Sequence, residues 1–229
     1  MSATFDTLGL TTFSVPGSTG ASFTRSGTIA ILSGNALASM SNVDPTSNLV
    51  TAYLDDTGTA WNLPIDFYFL GTNYGRNLNG GMCWDSNYVI GFSLVSGTIT
   101  WPATQPGILL GGSVDRATNS LFYSNVLTYG SATYINCLVR GQNAFNDGIP
   151  NALRYQFRFI RDNVYQYIEI RVEAGASNPG TWNIAGGPAG GNVVIATGTA
   201  VGTGQSGVWR SSLVGTGWTW FANSYTSIP

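Results

Sequence analysis

The 229-residue sequence has no histidine and no lysine, and all nine of its basic side chains are arginine. Without imidazole there is no Ser-His-Asp or Cys-His nucleophile system, no His-ligated zinc and no titration switch near neutral pH. Without an ε-amino group there is neither a Walker loop nor Schiff-base chemistry. Charged residues make up only 9% of the chain, with a net charge of −2, too sparse for the dense basic patch a nucleic-acid surface needs. Two cysteines, Cys83 and Cys137, are too few for a disulfide scaffold or a thiolate metal site. They are expected to be unbridged thiols, and no metal or cofactor is expected. No apolar run approaches the ~20 residues that span a bilayer, so membrane insertion is not expected. The first residues show no basic stretch leading into an apolar one, which predicts synthesis in a cytoplasm without secretion through a signal. Sustained 3.6-residue periodicity, heptads and repeats of 20 to 50 residues are also missing, so helix is expected to stay below ~15% against a usual 30–35%.

What the sequence does have is turn residues and aromatics: 30 glycines, seven tryptophans, eleven tyrosines and eleven phenylalanines. Gly, Pro, Asn or Asp interrupts the chain about every ten residues, and the intervening segments are short and β-branched or aromatic. Strands are predicted at 27–33, 49–55, 65–70, 81–84, 88–95, 107–110, 120–127, 133–140, 153–160, 165–173, 180–185, 193–199, 207–212 and 216–222. Many short strands with regular turns predict an all-β fold, an antiparallel β-sandwich with little helix. Residues 1–45, rich in Ser, Thr, Gly and Ala and closed by Asp44-Pro45, read as an N-terminal arm or edge-strand extension, and 46–229 as the sandwich domain.

The clearest element is a hairpin over 153–173. Leu153, Tyr155, Phe157 and Phe159 alternate with Arg154, Gln156 and Arg158, and Ile168, Ile170 and Val172 alternate with Tyr167, Glu169 and Arg171. Placing the turn at Asp162-Asn163 pairs Leu153 with Val172, Tyr155 with Ile170 and Phe157 with Ile168 on the core face. The other face, with Arg154, Arg158, Arg171 and Glu169, is expected to be an exposed charge ladder with Glu169 opposite Gln156.

Three further patterns bear on function. Gly202-Thr203-Gly204-Gln205-Ser206-Gly207 has the letters of a dinucleotide fingerprint, but Val208-Trp209-Arg210-Ser211 reads as a strand where the fingerprint needs a helix N-terminus. The carboxylates Asp55, Asp56, Asp66, Asp85, Asp115, Glu169 and Glu173 supply acids for glycoside hydrolysis in number, yet turns and arginine neighbours account for them, so no catalytic residue is expected. Tryptophans near strand ends and Gly/Asn/Thr-rich loops either anchor the core or offer ring faces to a sugar or a second subunit. Trp84, Tyr88, Trp218 and Trp220 are the candidate binding residues.

The run Leu63-Pro64-Ile65-Asp66-Phe67-Tyr68-Phe69-Leu70-Gly71, with Tyr74 and Ser86-Asn87-Tyr88-Val89-Ile90-Gly91-Phe92 after it, resembles the opening of nidogen-like β domains. Tyr88 stands where that pattern has a turn glycine. The Tyr-x-Phe-Arg-Phe hairpin, the Ile-Glu-Ile-Arg strand and Gly180-Thr181-Trp182-Asn183-Ile184 are similar to segments of phage, especially cyanophage, tail-fibre and surface-adhesion proteins. The first resemblance implies a jelly-roll or nidogen-like sandwich, and the second a virion structural protein with no catalytic residues to carry over. The expected function is a tail-fibre or receptor-binding component for host-surface attachment. It would be assembled in the host cytoplasm and released by lysis, with other virion proteins, copies of itself (a trimer if a fibre) and a host surface glycan as partners. A capsid decoration or cement protein, and a secreted carbohydrate-binding or carbohydrate-active protein, are the alternatives.

Overall fold

The computed structural model describes residues 12–14, 22–24, 29–34, 48–51, 54–55, 58–76, 78–85, 89–92, 107–109, 117–142, 153–174, 182–186, 193–199 and 201–228. Its strands, in chain order, are β1 (Thr12–Ser14), β2 (Ser22–Thr24), β3 (Ile31–Ser33), β4 (Asn48–Thr51), β5 (Leu54–Asp55), β6 (Gly58–Trp61) and β7 (Tyr68–Phe69). There follow β8 (Thr72–Asn73), β9 (Met82–Asp85), β10 (Val89–Phe92), β11 (Gly107–Leu109), β12 (Ala117–Tyr123), β13 (Leu127–Tyr129) and β14 (Ala132–Gly141). The last are β15 (Leu153–Arg161), β16 (Tyr165–Ala174), β17 (Trp182–Gly186), β18 (Val193–Gly198), β19 (Ser206–Ser212), β20 (Thr219–Ala222) and β21 (Ser224–Thr226). A single 3-10 turn at Leu78–Gly80 is the one helical element among the described residues. The fold is all-β.

Two sheets form the body, and every pairing in them is antiparallel. A six-stranded sheet runs β18-β17-β11-β10-β9-β6, and a nine-stranded sheet runs β20-β19-β16-β15-β14-β12-β4 with β13 on β14 and β5 on β12. Their facing sides enclose one apolar core. The small sheet contributes Trp61, Met82, Ile90, Phe92, Trp182 and Ile184, and the large one Ile135, Cys137, Val139, Phe157, Phe159, Ile168 and Trp209 among others. This is the sandwich that period-two alternation requires, since each strand sends every second side chain to the shared core. The edge strands approach one another, β18 against β20 on one side and β4 against β6 on the other.

The segment before β7 shows alternation without a ladder. Leu63, Ile65, Phe67 and Phe69 are buried while Pro64, Asp66 and Tyr68 are half-buried, yet only Tyr68–Phe69 is strand. The chain there is held by a side chain instead. The Gln166 carboxamide accepts from the Tyr68 N–H at 3.0 Å and donates to the Tyr68 carbonyl, as a neighbouring strand would.

The β15–β16 hairpin keeps its predicted faces but not its predicted partners. Tyr155 pairs with Val172, Phe157 with Ile170 and Phe159 with Ile168, a shift of two residues from the expected register. A two-residue slip preserves the faces where a one-residue slip would invert them. Its cause is Asp162, which closes the ladder rather than forming the turn. Its Oδ1 accepts the N–H groups of Val164 (2.8 Å) and Tyr165 (2.7 Å), so Asn163-Val164 is the loop.

Arg154 is exposed as expected, but the rest of the hairpin's charged face is enclosed, contrary to the expected charge ladder. Gln156, Arg158, Glu169 and Arg171 are all buried, and Glu169 faces Arg158 rather than Gln156. The cover is the two-stranded sheet β21–β3, in which Thr226 pairs with Ile31 and Ser224 with Ser33. A second apolar cluster, Ile29, Ala132, Tyr134, Ile160, Tyr167, Val208 and Ile228, fills the space beneath it. Within the predicted arm, β3 therefore lies on the outer face of the large sheet.

Candidate functional site

Of the predicted binding residues, Trp84 lies in β9 opposite Thr59 and Ile90, and Tyr88 falls outside the described residues. Trp218 is 8% exposed and packs with Phe67 and Phe69, so its indole belongs to the core. Trp220 is half-buried on Trp209, with ring centroids 4.9 Å apart. Its Nε1 donates to Thr199 Oγ1 at 3.0 Å, which ties β20 to the end of β18 where the two sheets meet. Gly207 and Gly198 make the slot: a Cβ on Gly207 would sit 2.3 Å from the Trp220 ring, and one on Gly198 2.8 Å. Trp218 and Trp220 thus share the inner side and close the sandwich, and the structure does not bring Trp84 together with them in any described contact.

The fingerprint letters serve a turn. Gln205 Oε1 accepts the Gly202 N–H, Gly204 has φ +75°, and β19 starts at Ser206 where a helix would be needed. The carboxylates whose side chains are described are likewise engaged. Asp66 meets Arg76 at 3.0 Å and Asn73 at 2.9 Å, and Glu173 meets Gln156 at 2.8 Å and Arg154 at 3.9 Å. Asp162 takes two turn N–H groups, the Ile29 N–H and the Tyr167 hydroxyl.

Glu169 is the deepest of these. It is fully buried, accepts from Arg171 at 2.9 Å and from Thr226 Oγ1 at 2.5 Å, and lies 3.7 Å from Arg158. Arg158 also donates to the Ile228 carbonyl at 3.0 Å. Burial lowers the Arg158 pKa while the Glu169 charge works in the opposite direction. The cluster fastens the C-terminal strand to the sheet.

What faces outward is a set of turns at one end of the sandwich. Thr133 pairs with Arg161 and Tyr165 with Ser212, which brings the β13–β14, β15–β16 and β19–β20 turns to the same end. The β7–β8 turn joins them, with the Leu70 N–H bonded to the Gly215 carbonyl at 3.1 Å and the Gly71 N–H to the Val214 carbonyl at 2.7 Å. Three exposed apolar side chains sit on these turns, Leu70 (41%), Val164 (46%) and Val214 (51%), and Leu127 (37%) opens β13 two residues into the ladder from its turn. Leu70 holds φ +48°, a left-handed conformation that suits Asn or Gly and strains a bulky side chain. Beside the tips, Arg161 lies over Tyr68 at 4.8 Å and donates to the Leu213 carbonyl at 3.2 Å. Arg210 lies 4.7 and 4.9 Å from the ring centroids of Tyr165 and Phe221. The arginines and tyrosines beside the tips are residue types enriched in contact hot spots, and the Leu and Val tips add exposed apolar area around them. The sequence held one signal for this end, the outward parity of Arg210 beside inward Trp209, but the meeting of four turns distant in sequence was not legible in it.

Neither the family models, nor the curated proteins, nor the solved structures contain a match to this chain.

Proposed function

We propose that the chain is a virion structural protein, a tail-fibre or receptor-binding component that attaches to a host surface without turnover and works as a homo-oligomer. The observation that carries this reading is the turn-bearing end. Exposed Leu70, Val164 and Val214 stand on turns where polar residues cost less, and Leu70 does so against its backbone preference. Strain and exposure of that kind fit a surface that touches something. Support also comes from the engaged carboxylates, whose bonds to arginine and backbone N–H groups are those of structural groups. The resemblance to tail-fibre segments supplies the virion setting.

The test compares the wild-type protein with a Leu70→Asn/Val214→Asn variant. Light scattering reads the oligomeric state, a trimer for a fibre, and a pull-down reads binding to host cells and to isolated capsids. The variant is expected to fold normally and to lose host-cell binding. A stable monomer that ignores the host surface but binds capsids would replace the fibre reading with capsid decoration.

A further inference from the structure

Among the seven arginines whose side chains are described, five donate to or pair with an oxygen acceptor: Arg76 with Asp66, Arg154 with Glu173, Arg158 and Arg171 with Glu169, and Arg161 with the Leu213 carbonyl. Arg140 and Arg210 have no such acceptor among the described residues. Arg140 rests on one ring, Phe122, and its Nε is buried. Arg210 differs in that its guanidinium lies within 5 Å of two ring centroids, Tyr165 from β16 at 4.7 Å and Phe221 from β20 at 4.9 Å.

Two ring contacts confine the group from its neighbouring strands. Arg210 pairs with Tyr167 and Thr219 across the sheet, so its stem is held by the ladder on both sides. Arg210 and both rings are half-buried, so the edge N–H donors remain in reach of solvent. A planar fork of donors with no acceptor among the described residues, held in a partly desolvated site, matches an oxyanion in bidentate geometry. The charge balance selects the class. Asp162, the carboxylate bonded to Arg210's cross-strand neighbour Tyr167, is committed to that hydroxyl and three backbone N–H groups, and a singly charged carboxylate suits the one Arg210 charge better than a dianion.

We propose that Arg210 is a carboxylate-binding site, its guanidinium aligned by Tyr165 and Phe221 to receive the acid group of a ligand such as a uronic-acid sugar. The assignment stands apart from the attachment reading, because ligand binding by the purified protein and adhesion to a host are separate measurements.

The experiment titrates glucuronate, glucose and sulfate into the full chain at constant ionic strength set with sodium chloride, following binding by calorimetry and the Arg210 Nε–H resonance by NMR. Arg210→Lys keeps the charge without the fork, and Arg210→Gln removes both. Saturable glucuronate binding that shifts the Arg210 resonance, weakens at least about tenfold in Arg210→Lys and disappears in Arg210→Gln is the expected result. Glucose should not bind. Binding of sulfate in preference to glucuronate overturns the carboxylate class, and a response no different from chloride, or one retained in Arg210→Gln, overturns the site. Should Arg210→Gln fail to fold, the lysine variant and the wild-type resonance decide.

Discussion

Glu169 carries more of the outer face than any other side chain, because one buried carboxylate balances two guanidinium groups. Removing one member of a buried ion pair leaves an uncompensated charge and costs about 3–5 kcal/mol. Glu169→Gln is therefore expected to destabilise the fold on the same scale as Phe157→Ala, for which cavity formation costs about 3–5 kcal/mol. Arg158→Ala should approach that range too, against the sequence-based expectation that Arg158 lies outside. Urea melts of the three variants settle the point, and a near-silent Arg158→Ala would restore an exposed ladder. Two other buried groups set the alkaline limit. Burial raises the pKa of the Cys137 thiol, and burial reinforced by the Asp162 charge and hydrogen bond raises that of Tyr167. Each holds its proton longer in the folded state than in the unfolded one, so its contribution is complete below the unfolded pKa and is lost as pH rises. Stability should fall first above about pH 8.5, the ordinary thiol value, and further above about pH 10, the ordinary phenol value. Cys137→Ala is expected to remove the first part of that slope in urea midpoints, and an unchanged profile would exclude the thiol as its source.

The β15–β16 hairpin shows how one side chain sets an element's register. Asp162 binds the turn N–H groups on one side and the Ile29 N–H and Tyr167 hydroxyl on the other, so the same carboxylate fixes the loop and docks the segment before β3. Asp162→Ala strands the buried Ile29 N–H and frees two part-buried turn N–H groups, while the Tyr167 hydroxyl keeps the Ile29 carbonyl as an acceptor at 3.2 Å, and a loss of roughly 2–3 kcal/mol is expected in denaturant melts. Asp162→Asn should recover part of it. The register itself is checked by double-mutant cycles, which register coupling between facing residues. Phe157 with Ile170 should couple by about 0.5–1 kcal/mol, and Phe157 with Ile168 by less. Stronger coupling in the second cycle would return the turn to Asp162-Asn163.

Across the molecule, the last strand acts as a clasp. β21 follows β20 through Asn223, at φ +46°, and lays Thr226 on Glu169 and the Ile228 carbonyl on Arg158. A chain ending at Asn223 loses both charged hydrogen bonds, at about 1.5–3 kcal/mol each, and the burial of Ile228. A loss of roughly 4 kcal/mol or more is expected by urea unfolding. A truncated chain as stable as the whole would show that the clasp adds nothing to the sheet.

Alternation and turn residues were enough to specify an all-β chain, the strands of both sheets from β14 to β20, and the inward faces of Tyr155, Phe157, Phe159, Ile168 and Ile170. Side-chain period and Gly/Asn/Asp punctuation are local properties, and the backbone responds to them locally. The exposure of the polar face was not a local property. Arg158, Gln156 and Glu169 alternate as a solvent face does, and only the arrival of β3 and β21, more than 100 and more than 50 residues away in sequence, encloses them. The short strands β1, β2, β6, β8 and β21, and all of β13 but Leu127, lie outside the expected strands for the same reason, since two to four residues carry no period and become strand only when a partner is brought alongside. Trp218 and Trp220 read in the sequence as core anchors first and binding residues second, and only the closing of the sheets decides between the two, just as Arg210 gains its two ring neighbours only because the tertiary fold places β16 and β20 on either side of β19.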